Sequence, residues 1–460
     1  MQTRRAGEVV LGALVCWMLA ACGGGDKVKV RGHVTNGGGQ QSQGLIDGAP
    51  ALAGDGTVSA AATVRISRVV ASGDLATLAE ADVAADGSYT LELDDAGQRL
   101  VIEAVNRAGV TVGSAVLDST TPQSGQEVRT APPITSESSL EAEVFVQMAR
   151  GGDAANSVDT VDLRARLNAE QAAAVRGQLK ETATESVEAL AAAVRAAQAT
   201  RIKAYTRAGV AVTQEQLFSA SLDASAQLDA ALDAGGQSAA GAYDAFFAAV
   251  RAATPQANDA QDQQAEREAS VAYRMAVDAR LSSGAGTAVA DASMRAAAAL
   301  EARATEAAVK ALLQGASATD LTVQQANTAA TSLRASLSSA TSASAAATAW
   351  ANYNAQLATG GSTSVMGAQL GVTSSNQLAF DSAVHTGAQA GATLEATLGT
   401  VLEQSGKASA TVLADAVVSA FSTYDAAVRS GATATLTAFG PKATTGVELL
   451  IISEGSFRLR

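Results

Sequence analysis

Cysteine, histidine and aromatic residues are scarce in this chain. Two cysteines, Cys16 and Cys22, and two histidines, His33 and His385, are all that its 460 residues hold. No His-x3-His spacing exists, so zinc sites of the usual Cys/His kinds are excluded. A Ser-His-Asp triad would have to use one of these histidines. His33 falls in a strand pattern. His385 stands one helical turn after Asp381, and such an i, i+4 couple reads as a surface pair. Aromatics make up 3% of the chain, so the few present are expected to mark core seams. A large side chain contributes about 1.5–3 kcal/mol on burial, an alanine much less. Basic excess is also missing: 32 Lys and Arg stand against 45 Asp and Glu, a net charge of −13. That balance does not suit nucleic acid or anionic lipid as a broad partner. Arg201, Lys203 and Arg207 lack the density of a nucleic-acid patch. No apolar run reaches the ~18 residues of a membrane-spanning helix.

Signatures of common chemistry are absent as well. Gly399 and Gly406-Lys407 superficially fit a phosphate loop, but the spacing is too long by two. Ala408 also replaces the Ser or Thr that would bind magnesium. There is no Gly-x-Ser-x-Gly nucleophile elbow and no alternating Asp/Asn calcium loop. Asp94-Asp95, Asp259, Asp262, Glu266 and Glu268 read as solvated acidic faces. No metal, no cofactor and no catalytic residue is expected, and the chain does not read as an enzyme.

What is present begins at the N-terminus. Arg4 and Arg5 give a positive start, and Val9 to Ala20 is apolar apart from Gly12. Leu19-Ala20-Ala21-Cys22 follows, then Gly23-Gly24-Gly25. A charged start, a short apolar middle and small residues at the end make a secretion signal. This one resembles a bacterial lipoprotein signal. The residues after the arginine pair, Ala6-Gly7-Glu8, lack the apolar continuation of the twin-arginine route, which favours general secretion. The resemblance implies that residues 1–21 are removed and that Cys22 is lipidated, with 22–26 as the lipidated cysteine and glycine linker. Cys16 would leave with the signal. Cys22 would then be the only thiol, with no disulfide partner. Buried methylenes at about 0.8 kcal/mol each would hold the chain to a membrane. In such lipoproteins an Asp beside the cysteine favours the inner membrane. Here Gly23 is adjacent and Asp26 is not, which favours the outer membrane.

Residues 27–133 read as β. Lys27 to Arg31, Thr63 to Ser67 and Tyr89 to Leu93 alternate polar and apolar residues. Leu100 to Val105 is an apolar-rich run, and Val110-Thr111-Val112 and Ala115-Val116-Leu117 follow. Period-2 patterning with regular turns, Asp86-Gly87 the clearest, predicts an antiparallel sandwich. The segments Val30-Arg31-Gly32-His33-Val34, Ala62-Thr63-Val64-Arg65-Ile66, Ala85-Asp86-Gly87-Ser88-Tyr89-Thr90-Leu91 and Val101-Ile102-Glu103-Ala104 carry a second resemblance. Together they are similar to the carboxypeptidase regulatory-like, or transthyretin-like, sandwich domains. These are accessory β modules of secreted bacterial proteins, and they imply an Ig-like fold without catalytic residues. A Gly/Gln/Ser-rich insertion at residues 36–60 departs from that pattern.

Thr130-Ala131-Pro132-Pro133-Ile134 stiffens the backbone and ends the β pattern. Residues 137–440 are rich in alanine, the strongest helix former, and read as a multi-helix bundle or array. Asn168 with Gln171 and Thr213 with Gln216 have the spacing of capping boxes. Gly151, Gly209 and Gly284 are candidate helix stops. Val187, Leu190, Ala191 and Val194 recur at helical spacing. Residues 446–460 break the pattern and read as a short C-terminal β-hairpin.

These features predict a lipid-anchored envelope protein with a structural or protein-interaction role. The expected partners are the membrane, through Cys22, and an envelope protein or polymer. The alternative is a lipoprotein that binds a small apolar ligand or glycan between helices. Tyr243, Phe246, Phe247, Trp350 and Tyr353 are its candidate contacts, although aromatics at such spacing more often form helix core.

Overall fold

In the computed structural model, the described residues form seven strands, most of them where the sequence alternates with period 2. The structure describes residues 27–34, 61–70, 72–94, 98–120, 128–151, 160–213, 259–297 and 409–436, with scattered single positions between them. The strands are β1 Val28–His33, β2 Ala61–Val69, β3 Leu75–Asp82, β4 Ser88–Leu93, β5 Gln98–Asn106, β6 Thr111–Ser119 and β7 Val128–Thr130. They form two sheets, ordered β4-β1-β7 and β3-β2-β5-β6. A single core joins them: Val30, Tyr89 and Leu91 from one sheet meet Val64, Ile66, Leu100, Ile102 and Leu117 from the other.

Three features differ from the sequence reading. The pairing is not wholly antiparallel, because β7 lies parallel to β1, with Lys29 opposite Val128. Val110–Val112 and Ala115–Leu117 belong largely to one continuous strand, β6. The strand β3, Leu-Ala-Thr-Leu-Ala-Glu-Ala-Asp, has no counterpart among the predicted strands. Its residues favour helix. Pairing with β2 overrides that preference, and its edge position leaves most of its side chains exposed.

Turn chemistry behaves as the sequence predicts at Asp86-Gly87. Gly87 has φ of +85°, a conformation that L side chains rarely adopt. Asp86 Oδ1 accepts hydrogen bonds from the Ser88 amide at 3.0 Å and hydroxyl at 2.7 Å. These bonds, the hydroxyl's first, hold the Asp86 carboxyl below its ordinary range.

The helices are α1 Ser136–Arg150, α2 Thr160–Arg166, α3 Ala169–Arg176, α4 Lys180–Arg207, α5 Asp259–Leu281 and α6 Ala410–Leu436. Residues 287–297 are also helical. Asn168 and Gln171 form the predicted capping box at the start of α3. Thr213 and Gln216 exchange the corresponding pair of bonds. Gly151 caps α1, and Gly209, just past α4, has φ of +77°. Val187, Leu190, Ala191 and Val194 are all buried. The long helices α4 and α5 run antiparallel. Gln178, ahead of α4, donates to the Ala285 carbonyl beyond α5, while Tyr205 near the end of α4 donates to Asp262 near the start of α5.

The stiff Thr130–Ile134 segment ends the β pattern without ending the packing. Along β5, Leu100, Ile102 and Ala104 face the other sheet. Val101 turns the opposite way and joins Val69 and Val116 in a second core with Phe145, Leu163, Leu190 and Tyr273 of the helices. One sheet is thus covered on both faces, which explains why Leu100–Val105 reads as a nearly unbroken apolar run. Thr135 and Ser138 cap α1 reciprocally, and Ser138 Oγ also donates to the Ser114 carbonyl of β6 at 2.8 Å. The amide of Ser114 donates to Ser139 Oγ at 3.0 Å. The first turn of α1 is therefore stitched to the middle of β6.

Candidate functional site

Of the residues singled out by sequence, Cys22, Tyr243, Phe246, Phe247, Trp350 and His385 lie outside the described residues, as does the 446–460 segment. Tyr353 is described and is 1% exposed. It belongs to the helical core that also holds Phe421 and Leu413. His33 ends β1, half-buried, with its ring beside Gly87. Among the described residues, no group of three His, Cys, Asp or Glu is placed to hold a metal ion. None of the described helices is long and apolar enough to cross a membrane.

The structure instead concentrates ionisable groups where sheet meets helices. Asp118 near the end of β6 and Arg99 near the start of β5 are both fully buried, with Arg99 Nη1 2.7 Å from Asp118 Oδ1. Arg164 of α2 approaches the other carboxylate oxygen at 3.3 Å and donates to the Val116 carbonyl at 3.0 Å. It also lies 3.8 Å from Glu141 of α1. Arg129 of β7 donates to the Ser119 carbonyl at 3.0 Å. Burial pushes the Asp118 carboxyl up, but Arg164 and Arg99 outweigh it and hold the group below the ordinary carboxylate range. Strand ends, α1 and α2 are tied together by this one charged group of residues.

A second set joins the helices to each other. Arg166, fully buried, bonds Glu266 at 3.2 Å and Ser270 at 3.2 Å. Arg201 of α4 pairs with the same Glu266, Arg207 with Glu268, and Lys203 with Asp415 of α6. Tyr205 donates to Asp262 at 2.7 Å. Burial pushes the Tyr205 phenol well above its ordinary range. The Tyr273 phenol, fully buried, is pushed up to about 12 for the same reason. It accepts from Gln171, whose amide also donates to Ser293.

This arrangement corrects the reading of Asp262, Glu266 and Glu268 as a solvated face. Glu268 is fully buried and Asp262 nearly so. Their partners Arg201, Arg207 and Tyr205 lie some 60 residues earlier on α4, so adjacency in sequence could not reveal them. The same pairing accounts for the basic cluster Arg201, Lys203 and Arg207. Its charge is matched by carboxylates of α5 and α6.

Chemically, these groups hold elements together. The buried carboxylates Asp118 and Glu268 face guanidinium groups, and Arg164 and Arg99 keep Asp118 ionised. Compared with family models, with curated proteins and with solved structures, the chain matches none.

Proposed function

We propose that this chain is a lipid-anchored protein of the bacterial cell envelope with a structural or protein-interaction role. The observation that carries the reading is Leu19-Ala20-Ala21-Cys22, preceded by a basic start and a short apolar stretch and followed by three glycines. Cys22 is the attachment residue and the outer membrane the favoured site. The two sheets that share one core support reading the front of the chain as a transthyretin-like sandwich of the accessory type. Its place would be between the anchor and the helices. The interlocked ion pairs of α4, α5 and α6 support a rigid body that presents a surface to an envelope protein or polymer.

Metabolic labelling tests this directly. The full-length chain, expressed in a two-membrane bacterium with radioactive palmitate, should incorporate label and fractionate with outer membranes. Cys22→Ala should lose the label and accumulate at precursor size. An unlabelled parent chain overturns the anchoring. Crosslinking in intact envelopes should capture a macromolecular partner, and its repeated failure would count against the interaction role.

A further inference from the structure

The attachment point and the strand pairing together orient the body on its membrane. This inference rests on lipidation of Cys22. Five residues, Gly23 to Lys27, separate Cys22 from β1. At 3.3–3.6 Å per residue, that stretch of chain reaches at most about 20 Å from Cys22 to Val28. The registers then identify what else stands at that end. Val28 lies opposite Leu93, the last residue of β4. Lys29 lies opposite Val128, which begins β7. Gln98, opening β5, lies opposite Ser119, closing β6. Arg68 lies opposite Leu100, so β2 ends and β3 begins there too. The β2–β3 turn around Gly73 is covered by Arg150, the last residue of α1.

The opposite end carries His33, Asp86-Gly87 and the Asn106–Val110 turn. A nine-residue strand such as β5 spans about 30 Å at some 3.3 Å per residue. The Asn106–Val110 turn, at the far end of β5, therefore lies farther from the tethered end than the roughly 20 Å tether is long.

Charge favours an upright body. The exposed side chains at the tethered end include Lys27, Arg68 and Arg150 beside Asp74 and Asp94, together with exposed Val70. With exposed Lys29 and Glu92 beside them, the described charges at this end nearly balance, in a chain whose net charge is −13. Lying flat would press more of an acidic surface onto lipid headgroups. The geometry points to the β1-start end, with the β2–β3 turn and the end of α1, as the surface that rests against the bilayer. The Asn106–Val110 turn faces away from it.

Cys22 is consumed by the anchor, so an introduced cysteine is a unique reactive thiol. Ser72→Cys in the β2–β3 turn and Ala108→Cys in the β5–β6 turn are both at exposed positions. Each lipidated full-length protein is labelled with a fluorophore and placed in phosphatidylethanolamine/phosphatidylglycerol vesicles carrying headgroup nitroxides. Quenching should be several-fold stronger at position 72 than at 108. A 20-residue Gly/Ser insertion after Gly25 should erase the difference. Equal quenching, or stronger quenching at 108, overturns the orientation while palmitate incorporation stands. Absence of palmitate in the same preparations removes the anchor and the orientation with it.

Discussion

Asp118 sits where guanidinium groups from β5, β7 and α2 converge. Its carboxyl is depressed in the folded chain, so the stability it contributes is present above the ordinary carboxylate pKa. It is lost as pH falls through the depressed value. Removing the carboxylate takes from Arg99 and Arg164 the anion they share, and breaking such a buried pair typically costs about 3–5 kcal/mol. Asp118→Ala should lower urea-unfolding stability at pH 7 by that amount. A loss below about 1 kcal/mol would show that the cluster tolerates the missing charge. Arg99 adds a backbone cost, since its φ of +59° is left-handed without being glycine. Such strain amounts to about 1–3 kcal/mol, and the bond to Asp118 helps to hold it. None of this was legible at the residue level. Arg99 stands just before the apolar run that begins at Leu100, and no pattern there marks it. Nothing in a strand's alternation reveals that a charge at its end meets a helix residue some 45 positions later.

Elements were legible where a local rule writes them. Asn168 with Gln171 announced α3, and Asp86-Gly87 announced its turn, because both signals are completed within a few residues. The edge strand β3 was not legible, because β2 supplies the order that its own sequence does not. The start of α1 lies between these cases. Its Thr135/Ser138 box uses a serine at the third position in place of the more familiar Glu or Gln. The same turn carries Glu137, whose carboxyl burial pushes up to about 6 from 4.5. A raised folded pKa means that the folded chain holds the proton more tightly. The penalty is absent below the ordinary value and grows as pH rises from about 4.5 through about 6. At 1.36 kcal/mol per unit, Glu137→Gln should stabilise the protein by about 2 kcal/mol at pH 7 and by nothing near pH 3.5. Paired unfolding curves at the two pH values check this. An equal effect at both would assign the gain to packing instead of charge.

At the scale of the molecule, the change from β to α in sequence is sharper than any division in the structure. Val69, Val101 and Val116 turn away from the other sheet and into the helical core. Ser114 is bonded to the first turn of α1. Composition marked where alanine takes over. It could not show that one sheet is covered by helices, since both faces of β5 are apolar whatever covers them. A fragment of residues 27–134 would uncover those valines and the amide of Ser114. It should bind a hydrophobic dye and unfold at lower urea than the same residues within the full chain. A fragment as stable as its parent would make the β region an independent unit.

The parallel pairing of β1 with β7 has a consequence for the order of events during synthesis. Lys29 pairs with Glu92 of β4 on one side, but its neighbour on the other side is Val128, so the first strand made is among the last to be completed. Closing so long a loop is entropically costly before any contact rewards it. A nascent chain shorter than about 130 residues cannot finish its first sheet. The outer face of β5 waits longer still, until Phe145 has emerged. The amino-terminal region therefore stays unfinished, and open to binding by chaperones, for well over the first quarter of translation.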